Sequence, residues 1–257
     1  MPLGRCCLCF NVGLLCNSHA LPDAFFKSIS RKNSGKGIVV TDDATTPIAY
    51  SSDSWHARML CANCEALLNK RYDEYGIAVF QGRKGSVHTD GSGITLLGID
   101  CRRIRMFLLS LVWRISISSH DNYSNINLSY SLDEELRCAL FSGQATPANR
   151  FTTKLSKLCD STKPGGFGAA ALRDFVAAPF AREYVGHNLI SVCFIFFGFF
   201  VEVFIPYLPK SPGSSFRTLT NGTVHSAPYL EIFDVPEITD LMGTALKKLE
   251  QGLSRVR

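Results

Sequence analysis

Residues 5 to 22 read RCCLCFNVGLLCNSHALP, and further on residues 60 to 75 read LCANCEALLNKRYDEY. Together they hold two CxxC pairs, Cys6 with Cys9 and Cys61 with Cys64. Each pair has the spacing at which two thiolates on a tight knuckle grip one tetrahedral ion, and two pairs give a closed site of four sulfurs. EALLNKRYDEY is helical in pattern, so Cys61 and Cys64 fall at a helix start, where the dipole favours thiolate. The bland alternative is four buried core cysteines. The run Cys6, Cys7, Cys9 keeps it open, because pairing Cys7 with Cys9 gives C-x-C, a poorer grip. Cys16 reads as a small buried apolar residue rather than a fifth ligand.

The chain has 257 residues, enough for one large domain or a small module plus a larger one. Apolar residues make up 46% and charged ones 19%, which excludes disordered and fibrous classes. The net charge of +5 is compatible with a phosphate-bearing partner without demanding one. Met1 to Arg5 is too short, and too soon followed by cysteines, to make a secretory signal. The expectation is a reducing cytoplasm, where ten cysteines are thiols or metal ligands rather than a disulfide framework. The run LISVCFIFFGFFVEVFI, Leu189 to Ile205, sits at the lower length limit for a membrane helix. Its Phe, Val and Ile content with Gly198 in the middle predicts two buried strands meeting at a bend, and no membrane segment.

Residues 1–81 hold all the regularly spaced cysteines, and 82–100, rich in glycine, predict a linker or long hairpin. Short apolar islands at Ile38 to Val40 and Ile48 to Tyr50 predict a small inserted hairpin. From Cys101, RRIRMFLLSLVWRISIS is apolar nearly all round, as in a helix buried in a core that includes Trp113. Ser131 and Glu134 form a capping box for the next helix, and Gly143 stops it. Residues 144 to 166 read as loop, and a last helix starts at Pro236.

Between the CxxC pairs stands Ser18-His19-Ala20-Leu21-Pro22. CxxC, then S-H-x-x-P, then LCxxCE at a helix start resembles the zinc-bearing HNH endonucleases, whose ββα unit is a treble-clef module, over roughly the first 75 residues. The resemblance implies that His19 is the general base activating water against a DNA phosphodiester, with Mg2+ or Mn2+ stabilising the developing charge. It puts Ser18 and Glu65 where the family has its catalytic-metal ligands, and makes zinc on Cys6, Cys9, Cys61 and Cys64 structural. The family's middle Asn has no clear match; Asp53 and His56 are the stand-ins. Such fingers also resemble parts of bacterial defence and mobile-element systems.

Other readings stand beside these. His19 would serve equally as a loop-orienting hydrogen-bond donor, and Glu65 gains from the helix dipole without any metal. Lys70, Arg71, Arg83 and Lys84 are candidate phosphate contacts or ordinary surface. Asp73 and Glu74 read as a solvated helix face. Arg102, Arg103, Arg105 and Arg114 flank an apolar helix, where they snorkel, pair with carboxylates or meet DNA.

The sequence thus predicts an α+β protein: an HNH-like zinc module at 1–81 and a larger mixed helix and sheet domain at 101–257. That larger domain would select substrate or meet a protein partner. The leading function is metal-dependent cleavage of DNA; the alternative is a catalytically silent zinc module that recognises nucleic acid or protein.

Overall fold

A computed structural model describes residues 3–31, 34–144, 146, 150–162, 164–184, 189–205 and 218–256. It is mixed α and β, with the four cysteines clustered near the N-terminus.

The first unit is a three-stranded antiparallel sheet, order β1-β2-β5, of β1 (Leu3–Arg5), β2 (Val12–His19) and β5 (His56–Cys61). Helix α1 (Asp23–Ser30) follows β2 directly, and β3 (Gly37–Val39) with β4 (Ala49–Ser51) forms the expected small hairpin. Out of β5 runs α2 (Ala62–Leu68), which passes through a π turn at Asn69–Asp73 into α3 (Glu74–Phe80). The glycine-rich stretch is a hairpin of β6 (Ser86–Asp90) and β7 (Gly93–Leu97). It belongs to the larger sheet, because β7 pairs with β12 (Val224–Glu231).

That sheet has seven strands, order β6-β7-β12-β8-β11-β10-β9, with β8 (Thr152–Cys159), β9 (Ala177–Tyr184), β10 (Leu189–Phe196) and β11 (Phe199–Ile205). Only β12 and β8 run parallel. The apolar run is therefore the expected strand pair, turning at Phe197 (φ 51°) and Gly198 (φ 71°), the two left-handed residues a tight hairpin turn requires. Its near-continuous hydrophobicity has a simple cause: both faces are covered. Phe194 and Phe196 point into the main core, Cys193 and Ile195 into a second cluster with Leu172 of α6 (Ala169–Arg173) and Ile238 of α7 (Pro236–Glu250). No helix among the described residues is long and apolar enough to cross a membrane.

Helix α4 (Cys101–Ser116) lies in the middle of the main core, with Trp113 fully buried. One cluster of buried side chains runs from Cys6, Leu8 and Leu60 through Phe107 to Val201, so the cysteine-rich unit and the large sheet share a core. Phe25 of α1 stacks on Phe196 at 4.3 Å between ring centres. Helices α1 and α4 thus pack the cysteine-rich unit against the large sheet.

Three local expectations are corrected. Helix α5 (Tyr130–Ser142) starts two residues earlier than the capping box at Ser131 and Glu134 implies: Ser129 is its N-cap, and Glu134 pairs with Arg137 instead. Gly143 does stop it, at φ 78°. The stretch read as loop at 144 to 166 contains β8, whose lysines masked its alternation. Cys16 is half-buried rather than enclosed.

Candidate functional site

The local sequence builds the cysteine cluster in two halves. Cys6 to Phe10 is a knuckle closed by the Phe10 amide on the Cys6 carbonyl at 2.9 Å, with Phe10 itself at φ 63°. Cys61 is the N-cap of α2 and Cys64 sits in its first turn. Antiparallel pairing of β2 and β5 brings the halves together, and the Sγ atoms of Cys6, Cys9, Cys61 and Cys64 all lie within 4.8 Å of one another. Cys7 is outside the group, which settles the register in favour of CxxC. The Cys9 and Cys61 sulfurs are 3.9 Å apart. A tetrahedral zinc with bonds of about 2.3 Å sets its sulfurs about 3.8 Å apart, so the four fit that ion.

Electrostatics agrees. Burial opposes the Cys6 thiolate, but the amides of Cys9, Cys61 and Leu8 outweigh it and bring the thiol to about 7. Burial and the neighbouring sulfurs push Cys64 up strongly. One thiolate alone is tolerated here; four need a cation between them.

Around this clamp the order is strand β2, strand β5, helix α2. His19 ends β2 and is the register partner of His56, which begins β5, with ring centres 5.9 Å apart. His19 Nε2 is 2.8 Å from the Ser54 hydroxyl. Burial lowers its proton affinity, with Asp23 opposing and His56 and Arg114 adding to the effect. Asp53 lies between two further histidines, 3.3 Å from His120 Nε2 and 3.9 Å from His56 Nδ1. His120 Nδ1 accepts the Asn122 amide, which fixes the Nε2–H tautomer that donates to Asp53. Burial raises the Asp53 carboxyl; the Trp55 amide and the two rings outweigh it and leave it below its ordinary value. Trp55 holds this turn in a left-handed conformation, φ 55°, a strain of order 1–3 kcal/mol in a bulky residue, with Phe26 and Tyr123 packed edge-on against its ring. His120 was not visible as a neighbour from sequence, since 67 residues separate it from Asp53.

Ser18 and Glu65 sit on the inner side. Ser18 is fully buried and takes the Leu60 amide on its hydroxyl at 3.2 Å. Burial pushes the Glu65 carboxyl above its usual range against the pull of Arg114 and Ser18, and its buried Oε2 has no hydrogen-bond partner among the described residues. Asp73 corrects the expectation of a solvated face. It is 6% exposed and bound bidentately by Arg114, Nη1 to Oδ2 at 2.9 Å and Nη2 to Oδ1 at 2.6 Å. Arg114 also donates to the His19 carbonyl at 3.2 Å, so α4 reaches directly into the cysteine-rich unit.

The candidate basic residues separate. Lys70, Arg83 and Lys84 are exposed, whereas Arg71 Nη1 is engaged by the carbonyls of Leu140 and Phe141 at the end of α5. Comparison with protein-family models, curated proteins and solved structures returned no match, so the functional assignment rests on this geometry alone.

Proposed function

We propose that the protein is a nucleic-acid hydrolase of the HNH kind, a treble-clef ββα finger clamped by zinc in which His19 is the general base against a DNA phosphodiester. The observation that carries the reading is the convergence of His19, His56, Asp53 and His120 at one end of the β2 and β5 pair, whose other end leads into the four-cysteine cluster and the helix bearing Glu65. Burial keeps His19 in the neutral form a base requires, and Ser54 orients its ring. Asp53 or His56 would stand in for the family's middle Asn, and the two pair with one another at the same end. The Oε2 of Glu65, without a partner among the described residues, would be the oxygen ligand that holds Mg2+ or Mn2+. Such an ion would supply charge stabilisation to the leaving oxygen.

A second reading, a zinc module that recognises nucleic acid or protein without cutting, is favoured by one specific contact. Arg114 stands against Glu65 and Asp73, supplying positive charge where the first reading needs a divalent ion.

Cleavage of supercoiled plasmid in Mg2+ or Mn2+, with His19→Ala alongside and zinc content measured for both, separates them. Nicking that vanishes in the variant while zinc stays bound is the expected result. Equal inertness of two zinc-loaded proteins overturns the nuclease reading and leaves the binding module.

A further inference from the structure

Away from the histidine edge, positive charge collects where the π turn after α2 meets the start of α4. A cleft of about 290 Å3 opens there, lined by Arg71, Tyr72, Asp100, Arg102, Arg103 and Met106. The geometry points to a phosphate-binding cleft, in which the guanidinium groups of Arg71, Arg102 and Arg103 take phosphate groups of a polynucleotide backbone. This inference deepens the nucleic-acid reading above and rests on it.

Each cation is placed rather than loose. Two carbonyls of α5 fix Nη1 of Arg71, and Gly143 lies so close that a Cβ there would come within 3.0 Å of that atom. Arg103 lies 3.9 Å over the Tyr75 ring, with Lys84 Nζ 5.6 Å from the same ring, and the Tyr75 hydroxyl accepts the Asp100 amide at 2.5 Å. Arg102 and Arg103 are exposed. Among the described residues none of Arg71, Lys84, Arg102 and Arg103 has an ion pair. Asp100, the acid lining the cleft, spends an oxygen on the Arg103 amide at 3.0 Å, and nearby Glu74 takes Asn69. One turn along α4, Arg105 is 5% exposed with an Nε that has no partner among the described residues, and its guanidinium is held below its ordinary value by burial and then by the Arg102 charge.

For the fold alone these are the wrong charges. Cations in the first turn of a helix oppose its dipole, and the acid at this end of α4, the N-cap Asp100, already spends an oxygen on the Arg103 amide. A guanidinium fork matches a phosphate's oxygens two at a time, so an anion in the cleft relieves repulsion that folding leaves in place. The cleft is lined by residues on both sides of the 82–100 hairpin, so backbone held here would be held by finger and larger domain together.

The test is fluorescence anisotropy of a labelled DNA duplex with the full chain, without added Mg2+ or Mn2+, as a salt titration. Arg102→Gln with Arg103→Gln is the main variant, and Arg103→Lys keeps charge but loses the fork. The expectation is weaker binding by the double variant and a log–log salt slope shallower by about two, near 0.9 per phosphate contact. Arg103→Lys should keep the slope and lose affinity. Wild-type binding with slope and affinity unchanged in the double variant overturns the cleft. So does calorimetric binding of inorganic phosphate, lost in the variant, without duplex binding: the ligand would then be a small phosphorylated molecule. Failure to bind either probe overturns it as well. A chain that binds through these arginines but never cuts leaves the cleft standing and removes only the nuclease reading.

Discussion

Replacing Arg114 by leucine removes a guanidinium that is 1% exposed, is braced along α4 by Ser110, and joins α4 to the cysteine-rich unit through Asp73 and the His19 carbonyl. Asp73 is left buried with no counter-charge, and breaking such a pair from one side costs about 3–5 kcal/mol, a large part of the 5–15 kcal/mol that holds a typical domain. Burial already pushes the Asp73 carboxyl up, and only Arg114 opposes it. In Arg114→Leu that carboxyl rises further, so its contribution to stability is present below the unfolded pKa, about 3.9, and lost as pH rises. The variant's deficit should therefore be largest at neutral pH and shrink towards pH 4. Urea denaturation followed by fluorescence of Trp55 and Trp113 measures this, in a cycle with Asp73→Leu and the double variant. Removing both charges should recover more than half of the single-variant cost. A single-variant cost under about 1 kcal/mol, or single costs that simply add in the double variant, would refute the reasoning.

Two further changes test the packing. His225 is 4% exposed, its Nε2 has no partner among the described residues, and burial holds its imidazole down to about 4. The unfolded chain, with a pKa near 6.5, takes the proton first, so this site alone removes about 2 kcal/mol between pH 7 and pH 5. His225→Leu should flatten that part of the stability profile, and an unchanged slope would contradict it. Gly76 of α3 faces Phe107 of α4 so closely that a Cβ would fall 2.2 Å from the ring. Gly76→Ala should cost about 1–3 kcal/mol through overpacking, read as a lowered urea midpoint with unchanged m, despite alanine's better helix propensity.

The features legible in the sequence were local. The CxxC pairs, the helix after Cys61, the hairpin turning at Gly198 and the stop at Gly143 each follow from residues within a few positions. The strands lost from view have mixed signals: β8 carries Lys154 and Lys157 at the centre of a sheet, and β12 contains Pro228. Lys157 survives there because its ammonium reaches the Phe197 carbonyl at 3.2 Å and lies over Phe199. The Asp73 and Arg114 pair was illegible for another reason. An acid on a helix reads as surface until its partner, 41 residues on, is brought to it by tertiary packing. The same holds for His120 against Asp53, and for the cleft that joins Arg71 to Arg102.

The claim on which the functional account depends is that Cys6, Cys9, Cys61 and Cys64 clamp one ion and thereby join the knuckle to the start of α2. X-ray absorption at the zinc edge, on purified chain with its metal content measured, tests it directly. The account predicts one zinc per chain with four sulfurs at about 2.3 Å, and loss of both zinc and cooperative unfolding in Cys64→Ser. A folded chain without bound metal, or zinc held by nitrogen and oxygen, would contradict it.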